Sequence, residues 1–165
     1  MRANHEFTPI GLDSHFTKYW KNDKPLLIVF VVGETARAAN FSLDGYKRET
    51  NAPLIPYLNN IINFTNTTSC GTSTAVSVPC MFAKDNRTKF NNGSLDYTEN
   101  VLDIFKKNDW RVVWLENNSD CKGVCTRVET YSPCATNAGT CFVGILTQEM
   151  QKQLAKPAQN TVMIM

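Results

Sequence analysis

The chain has 165 residues, of which 42% are hydrophobic, and it carries 17 basic and 15 acidic side chains. This length and composition predict one globular domain with a real core and exclude a disordered chain. The nearly balanced charge excludes an extended nucleic-acid surface or a polybasic membrane anchor, so we expect no nucleic-acid partner. The longest apolar run, Leu26 to Val32, is too short to span a bilayer.

The first 24 residues are polar and irregular, and we predict a linker or an arm on the protein surface. Both histidines, His5 and His15, fall in this segment, and we interpret them as solvated side chains rather than metal ligands. Residues 25–165 form the predicted domain. Its first strand, Pro25 to Val32, is continuously apolar, which is typical of a central strand buried on both faces of a parallel sheet.

Glu34 follows this strand directly. In open α/β sheets, ligands bind beyond the carboxyl ends of the strands, so the Glu34 carboxylate is well placed to hold a cation. The alternative is that Glu34 only favours the start of a helix near Thr35.

Helices, a turn and a strand are predicted between Glu34 and the first cysteine. The segments are a helix over Thr35–Asn40, a turn at Leu43–Tyr46, a helix from Pro56 with Tyr57, Leu58, Ile61 and Ile62 inward, and a second strand over Asn63–Thr68.

The stretch from Thr67 to Cys80 reads TTSCGTSTAVSVPC and encloses several hydroxyl side chains between two cysteines. Gly71 allows a turn, and residues 73–78 suit a short helix that Pro79 ends or bends. A hydroxyl at the start of that helix would lie in a positive field that favours phosphate binding. A capped helix fastened by a disulfide is the alternative interpretation of this stretch alone.

A third strand is predicted over Arg111–Leu115, after a helix that Thr98 caps. Polar residues follow the strand. Asn118 could donate a hydrogen bond to a phosphate oxygen, and Lys122 could pair with a phosphate as a point charge. An Asn/Asp turn with a surface lysine is the alternative.

The remaining segments complete an α/β domain with a mostly parallel sheet flanked by helices. They are a loop over residues 81–93, an irregular excursion over Thr126–Cys141, a helix over Ile145–Leu154 and a strand over Thr161–Met165. Because an α/β domain rarely finishes on the strand that completes its sheet, we expect the domain to be incomplete at its carboxyl end.

Six cysteines occur in three close pairs, which predicts three local disulfides and an oxidising compartment. A zinc cluster of the last four cysteines is the alternative, although the paired spacing of common zinc modules is missing. The predicted pairs are Cys70 with Cys80, Cys121 with Cys125, and Cys134 with Cys141.

Glu34, Thr74, Asn118 and Lys122 would lie along one edge of the sheet, because they follow three predicted strands. A threonine hydroxyl is a poor nucleophile without a base or a metal, and no histidine is near in sequence. A divalent ion bound by Glu34 and Thr74 would stabilise the alkoxide. Two protein ligands do not complete a zinc site, so we expect further ligands from outside this chain.

Three motifs carry a resemblance to a known family. They are VVGETARAANFSLDGY (Val31–Tyr46), TSCGTSTAVSVPCMF (Thr68–Phe82) and ENNSDCKGVC (Glu116–Cys125). The chain resembles the lipid A phosphoethanolamine transferases over about residues 25–165. These are bacterial inner-membrane enzymes of the alkaline phosphatase and sulfatase superfamily, and they include the colistin-resistance transferases. The Cys-x-Pro-x-Arg motif typical of sulfatases does not occur.

The resemblance implies an alkaline phosphatase/sulfatase-like fold in the periplasm. It implies transfer of phosphoethanolamine from phosphatidylethanolamine to a lipid A phosphate through a covalent threonine intermediate. Glu34 falls on the family's zinc-binding glutamate, and Thr74 on its nucleophile, which is also a zinc ligand. Asn118 and Lys122 fall on residues that contact phosphoethanolamine.

Members of this family also have an amino-terminal transmembrane domain and later zinc ligands, an Asp-His pair and a further histidine. This chain contains neither, so we expect it to be inactive alone and to form part of a longer enzyme. A non-catalytic module that binds anionic lipid headgroups is one alternative function. A phosphatase or phosphodiesterase that uses the same threonine is another.

Overall fold

The protein is described here by a computed structural model, which covers residues 6–15, 25–33, 36–116, 120–132, 148, 150–153, 155 and 160–164. The strands are β1 (Leu27–Phe30), β2 (Arg111–Leu115), β3 (Glu129–Tyr131) and β4 (Thr161–Ile164), and two α-helices are α1 (Thr74–Phe82) and α2 (Val101–Lys107). Residues 148 and 150–153 are also helical, in agreement with the helix predicted over Ile145–Leu154. The strands form one sheet in the order β1-β4-β2-β3, and every neighbouring pair is parallel. The predicted α/β class is therefore confirmed.

The core lies around the two middle strands of this sheet. Val113 of β2 is in register with Met163 of β4, and both side chains are completely buried, with Leu115 beside them. After their first residue, both middle strands are apolar and include β-branched side chains, which suits strands covered on both faces. The strand predictions for Arg111–Leu115 and for Thr161 onward are confirmed.

Strand β1 lies at an edge of the described sheet, so its predicted central position is wrong. Its neighbour on one side is β4, and Leu27, Val29 and Phe30 are exposed. An apolar run indicates that both faces of a strand are apolar. It does not determine the order of the strands, because that order depends on segments more than a hundred residues away.

The chain divides into two compact units, residues 1–31 with 70–165, and residues 32–69. The second unit contains three 3₁₀ helices, at Ala38–Asn40, Ser42–Asp44 and Ala52–Asn60. The last of these includes the helix predicted from Pro56, but Tyr57, Leu58 and Ile62 are exposed instead of inward. Pro56 lies inside this 3₁₀ helix, and because it has no N–H it cannot donate the hydrogen bond that would continue an α-helix there.

The strand predicted over Asn63–Thr68 is wrong, because these residues form a turn and irregular backbone. Threonine and phenylalanine favour strands only where a partner strand and a packed face are present. Here Asn63 instead donates a side-chain hydrogen bond to Asp44, at 2.7 Å.

Helix α2 begins at a different cap from the one predicted. Asn100, not Thr98, is the N-cap, and its side-chain oxygen accepts a hydrogen bond from the Leu102 amide at 2.8 Å. The Asp103 carboxylate accepts one from the Asn100 amide at 2.7 Å, which completes a capping box. Thr98 donates to the Ser94 carbonyl in the turn before the helix.

Part of the amino-terminal segment lies beside α2. Thr8 exchanges main-chain hydrogen bonds with Tyr97 and Glu99, and the buried Glu99 carboxylate accepts one from the Ile10 amide at 2.8 Å. The Lys107 ammonium forms an ion pair with the same carboxylate. In the described part of the chain, no helix is both long and apolar enough to cross a membrane.

Leu115→Ala should lower the free energy of unfolding by about 2–5 kcal/mol, because it leaves a cavity in the core next to Val113 and Met163. Leu12→Ala is the matched control, since the Leu12 side chain is 78% exposed and should contribute less than about 0.5 kcal/mol. Urea denaturation followed by circular dichroism measures both values. Equal losses for the two variants would contradict the position assigned to β2.

Candidate active site

Thr74 is the first residue of α1 and is partly buried. Ser73 precedes it in extended backbone conformation, and its carbonyl accepts hydrogen bonds from the amides of Val76 and Ser77, at 3.0 and 2.9 Å. Among the described contacts, the Ser73 side chain forms no capping hydrogen bond. The amino-terminal end of the helix is therefore not capped by the Ser73 side chain, and Thr74, as the first helical residue, lies where the field of the helix dipole is strongest.

A disulfide between Cys70 and Cys80 fastens the turn before α1 to the body of the helix, with the two Cα atoms 6.3 Å apart. Gly71 lies within this turn. A Cβ atom there would lie 3.1 Å from the Val76 side chain, so a larger residue would require that side chain to shift by a few tenths of an ångström.

Helix α1 runs through Pro79 to Phe82, so the first of the two predicted alternatives, that Pro79 ends the helix, is wrong. Pro79 removes the hydrogen bond that its amide would have donated to Ala75, a loss that usually ends a helix. The disulfide at Cys80 and the buried Phe82 side chain hold the helix beyond this point. The ring of Phe82 contacts Phe30 and Trp114, with centroids 5.5 and 5.6 Å apart.

These ring contacts place the end of α1 over the carboxyl-terminal ends of β1 and β2. Phe30 is the last residue of β1, and Trp114 is the last but one of β2. Thr74 lies eight residues earlier on the helix, about 12 Å along its axis. The carboxyl edge of the sheet is where ligands bind in open α/β folds.

Lys122 lies in the loop that follows β2 at this edge. A second disulfide, between Cys121 and Cys125, closes the loop, and the Asp120 side chain accepts a hydrogen bond from the Lys122 amide at 3.1 Å. The Lys122 ammonium is 3.9 Å from the Asp120 carboxylate. Lys122 has a φ of +53°, in the left-handed region that is costly for a residue with a Cβ atom.

Several predicted site residues lie outside the described residues. They are Glu34, Asn118, Cys134 and Cys141. Convergence of Glu34 and Asn118 with Thr74 and Lys122 stays a prediction. Among the described residues, no three His, Cys, Asp or Glu side chains come together as a metal site.

The side chains of Asn100, Asp103 and Arg127 form a cluster next to the Lys122 loop that was not predicted from the sequence. The Arg127 guanidinium pairs with the Asp103 carboxylate through two hydrogen bonds of 2.8 Å, and the Asn100 side chain donates to the Val124 carbonyl at 2.9 Å. Asn100 and Asp103 have the spacing of a capping box, so the contact between these two residues could have been predicted from the sequence. Nothing local marks Arg127 as its partner.

The charges in this cluster stabilise each other. Burial opposes the charge of Asp103, but hydrogen bonds from Arg127 and from the Asn100 amide, with the positive charges of Arg127 and Lys106, outweigh that effect and lower the pKa of its carboxyl. The hydrogen bond to Asp103 in turn raises the pKa of Arg127. The pair is therefore fully ionised at neutral pH.

The sequence profile of the sulfatase family matches residues 27–165. Phosphoethanolamine transferase EptA of Escherichia coli (strain K12) is 40% identical over 159 residues, which cover 92% of this chain and 29% of that protein. Phosphatidylethanolamine transferase Mcr-1 of Escherichia coli is 48% identical over 105 residues, which cover 64% of this chain and 19% of that protein. This chain therefore spans less than a third of the length of these curated relatives.

The soluble domain of lipooligosaccharide phosphoethanolamine transferase A from Neisseria meningitidis has a similar structure. It superposes with a TM-score of 0.89 at 36% identity, over 98% of this chain and 50% of that domain. The integral membrane form of the same protein gives a TM-score of 0.90 over 99% of this chain and 31% of that protein. These matches confirm both the resemblance inferred from the three motifs and the predicted sulfatase-like fold.

Lys122→Gly should raise the free energy of unfolding by about 0.5–1 kcal/mol. Removing the Cβ atom relieves a left-handed conformation that costs about 1–2 kcal/mol, and the greater flexibility of unfolded glycine offsets part of this gain. Asp109→Gly is the matched control, because Asp109 has a φ of +60° in the turn between α2 and β2. Urea denaturation measures both changes. A gain for Asp109→Gly with a loss for Lys122→Gly would show that the lysine side chain itself stabilises the loop.

Proposed function

Because the chain belongs to the sulfatase family, we propose that it is part of the catalytic domain of a phosphoethanolamine transferase with Thr74 as the nucleophile. The observation that carries this proposal is the position of Thr74 at the uncapped amino-terminal end of α1, in a turn fastened by the Cys70–Cys80 disulfide. The sequence similarity to EptA and Mcr-1 supports the same reaction.

In the proposed reaction, the Thr74 oxygen attacks the phosphorus of phosphatidylethanolamine. A bond forms between that oxygen and phosphorus, the bond from phosphorus to the diacylglycerol oxygen breaks, and diacylglycerol leaves with the proton that Thr74 has lost. A phosphate oxygen of lipid A then attacks the phosphorus of the phosphoethanolamine group on Thr74: the new phosphorus–oxygen bond forms, the bond from phosphorus to the Thr74 oxygen breaks, and the Thr74 oxygen takes up the proton that the lipid A phosphate group loses. The field of α1 stabilises negative charge on the Thr74 oxygen and on the phosphoryl group throughout.

Lys122 and Asn118 are proposed to bind the phosphoryl group. The Lys122 ammonium is compact and strongly charged, which suits a phosphate oxygen. Asn118 would donate an amide hydrogen bond. Together they would hold the phosphorus in line for attack by Thr74.

Zinc is the cofactor we propose, with Glu34 and Thr74 as the ligands that this chain supplies. Oxygen donors of these two types suit zinc, and its positive charge would favour ionisation of the threonine hydroxyl when it is bound. Because zinc sites have three or four protein ligands, the other ligands would come from the remaining part of a longer protein. The chain alone should accordingly retain zinc weakly and turn over substrate negligibly.

The compartment proposed is the bacterial periplasm, with the longer protein anchored in the inner membrane. Two disulfides among the described residues require an oxidising environment. One structural relative is described as an integral membrane protein, and a domain of another relative, from Campylobacter jejuni, is described as periplasmic. Both lipid substrates would then be reached from the membrane surface.

Thr74→Ala should lower the rate of phosphoethanolamine transfer by more than about a thousandfold in the complete protein, because it removes the nucleophile. Intact-protein mass spectrometry after incubation with phosphatidylethanolamine should detect one phosphoethanolamine adduct on the wild type and none on the variant. Thr88→Ala is the matched control, since Thr88 lies in an exposed turn with Asn86.

An adduct that persists on Ser73 or Ser77 in the Thr74→Ala variant would contradict the assignment of the nucleophile. Release of phosphoethanolamine to water at the wild-type rate, without transfer to lipid A, would instead favour a phosphatase or phosphodiesterase. Both outcomes are read from the same assay when products are separated by thin-layer chromatography.

Glu34→Gln should lower the zinc content of the complete protein, because it removes one anionic ligand. Inductively coupled plasma mass spectrometry of the purified protein gives zinc per mole directly. Glu49→Gln is the control, since Glu49 is an exposed carboxylate in the same unit of the chain. A wild-type protein that contains no zinc and still binds lipid A normally would favour the non-catalytic lipid-binding module.

A further inference from the structure

We propose that Arg127 is a positioning residue for Lys122 and acts through its paired contact with Asp103. This inference rests on the proposed role of Lys122 in phosphate binding. Arg127 Nε lies 2.8 Å from Asp103 Oδ1, and Arg127 Nη2 lies 2.8 Å from Asp103 Oδ2. Two parallel hydrogen bonds of this kind fix the orientation of both side chains as well as their distance.

The other donors of Arg127 extend this contact to the turn before α2. Its Nη2 also donates to the Thr98 carbonyl at 3.0 Å, and its Nη1 donates to the Leu95 carbonyl at 3.3 Å. The ring of Phe7 covers the guanidinium, with its centroid 5.2 Å away. Arg127 therefore joins the segment after the Lys122 loop to a rigid frame.

The buried Asn100 holds the same loop from a second point. Its Nδ2 donates to the Val124 carbonyl at 2.9 Å, while its backbone amide donates to the Asp103 oxygen that Arg127 also contacts. The loop is thus held at positions two and five residues after Lys122. Asp103 contacts both Asn100 and Arg127, so loss of its charge weakens both attachments, whereas loss of Arg127 removes the one at position 127.

Lys122 needs this support because its own backbone is strained. A left-handed conformation at a residue with a Cβ atom persists only where the surrounding structure enforces it. Gly123 continues the left-handed turn with a φ of +85°, and the Cys121–Cys125 disulfide closes it. With the carboxyl side of this turn fixed by Arg127, the direction in which the lysine side chain leaves the backbone is fixed as well.

The test is a double-mutant cycle in the complete protein, assayed by transfer of phosphoethanolamine from phosphatidylethanolamine. Lys122→Met should lower kcat/KM by roughly 10- to 100-fold, because it removes a charged contact to phosphate. Arg127→Gln should lower it by about tenfold, and the double variant should be no worse than Lys122→Met alone. Arg127→Lys should recover only part of the loss, since an ammonium cannot form the paired contact.

Arg111→Gln is the matched control. Arg111 lies at the opposite end of β2 from the Lys122 loop, where it pairs with Glu129 at 3.0 Å and donates to Gln153. Its loss should change thermal stability but leave kcat/KM within about twofold. If Arg127→Gln does not fold, Asp103→Asn replaces it in the cycle. Combined with Lys122→Met, Asp103→Asn should likewise lower kcat/KM no further than Lys122→Met alone.

Several results would overturn the inference. Losses from Arg127→Gln and Lys122→Met that multiply in the double variant would show that Arg127 acts independently of Lys122. An Arg127→Gln variant with unchanged kcat/KM would show that Arg127 does not position Lys122. If Lys122→Met itself has no effect, the proposed phosphate contact fails and this inference fails with it, whereas a large Lys122→Met effect without coupling defeats only the role of Arg127.

Discussion

Strand β4 holds the described sheet together, because it pairs along one edge with β1 and along the other with β2. Its buried side chains, Val162, Met163 and Ile164, supply apolar surface to both faces of the sheet. The carboxyl ends of β1 and β2 meet at one edge only because β4 aligns them. The Lys122 loop follows β2, so its position depends on a strand that contributes none of the proposed site residues.

Local sequence patterns correctly predicted the strands whose burial in the structure matches their apolar composition. Arg111–Leu115 and the strand from Thr161 are short apolar runs that become buried on both faces, so pattern and structure agree. The run that contains β1 has the same composition but lies at an edge of the described sheet. The threonine-rich run after Asn63 favours a strand by propensity alone and has no strand partner among the described residues.

Some features of the candidate site could likewise be predicted from the sequence, and others could not. Thr74 could be singled out from several neighbouring hydroxyls only through the resemblance to a family, because a helix start followed by serines and threonines favours none of them locally. The extension of α1 beyond Pro79 depends on the Cys70–Cys80 disulfide and on Phe82 packing against two strands that are distant in sequence. Arg127 was missed since an arginine 24 residues from its partner leaves no periodic signal.

The two parts of the proposed phosphate site are held by different means, and this difference follows from their chemistry. A nucleophile must be placed within a fraction of an ångström, so Thr74 stands on a helix that a disulfide fastens to its preceding turn. Lys122 has a long and flexible side chain, so its position is limited chiefly by its backbone. The strained turn, its disulfide and the Asp103–Arg127 pair restrict that backbone, and they lower the conformational entropy that the lysine would lose on binding a phosphate.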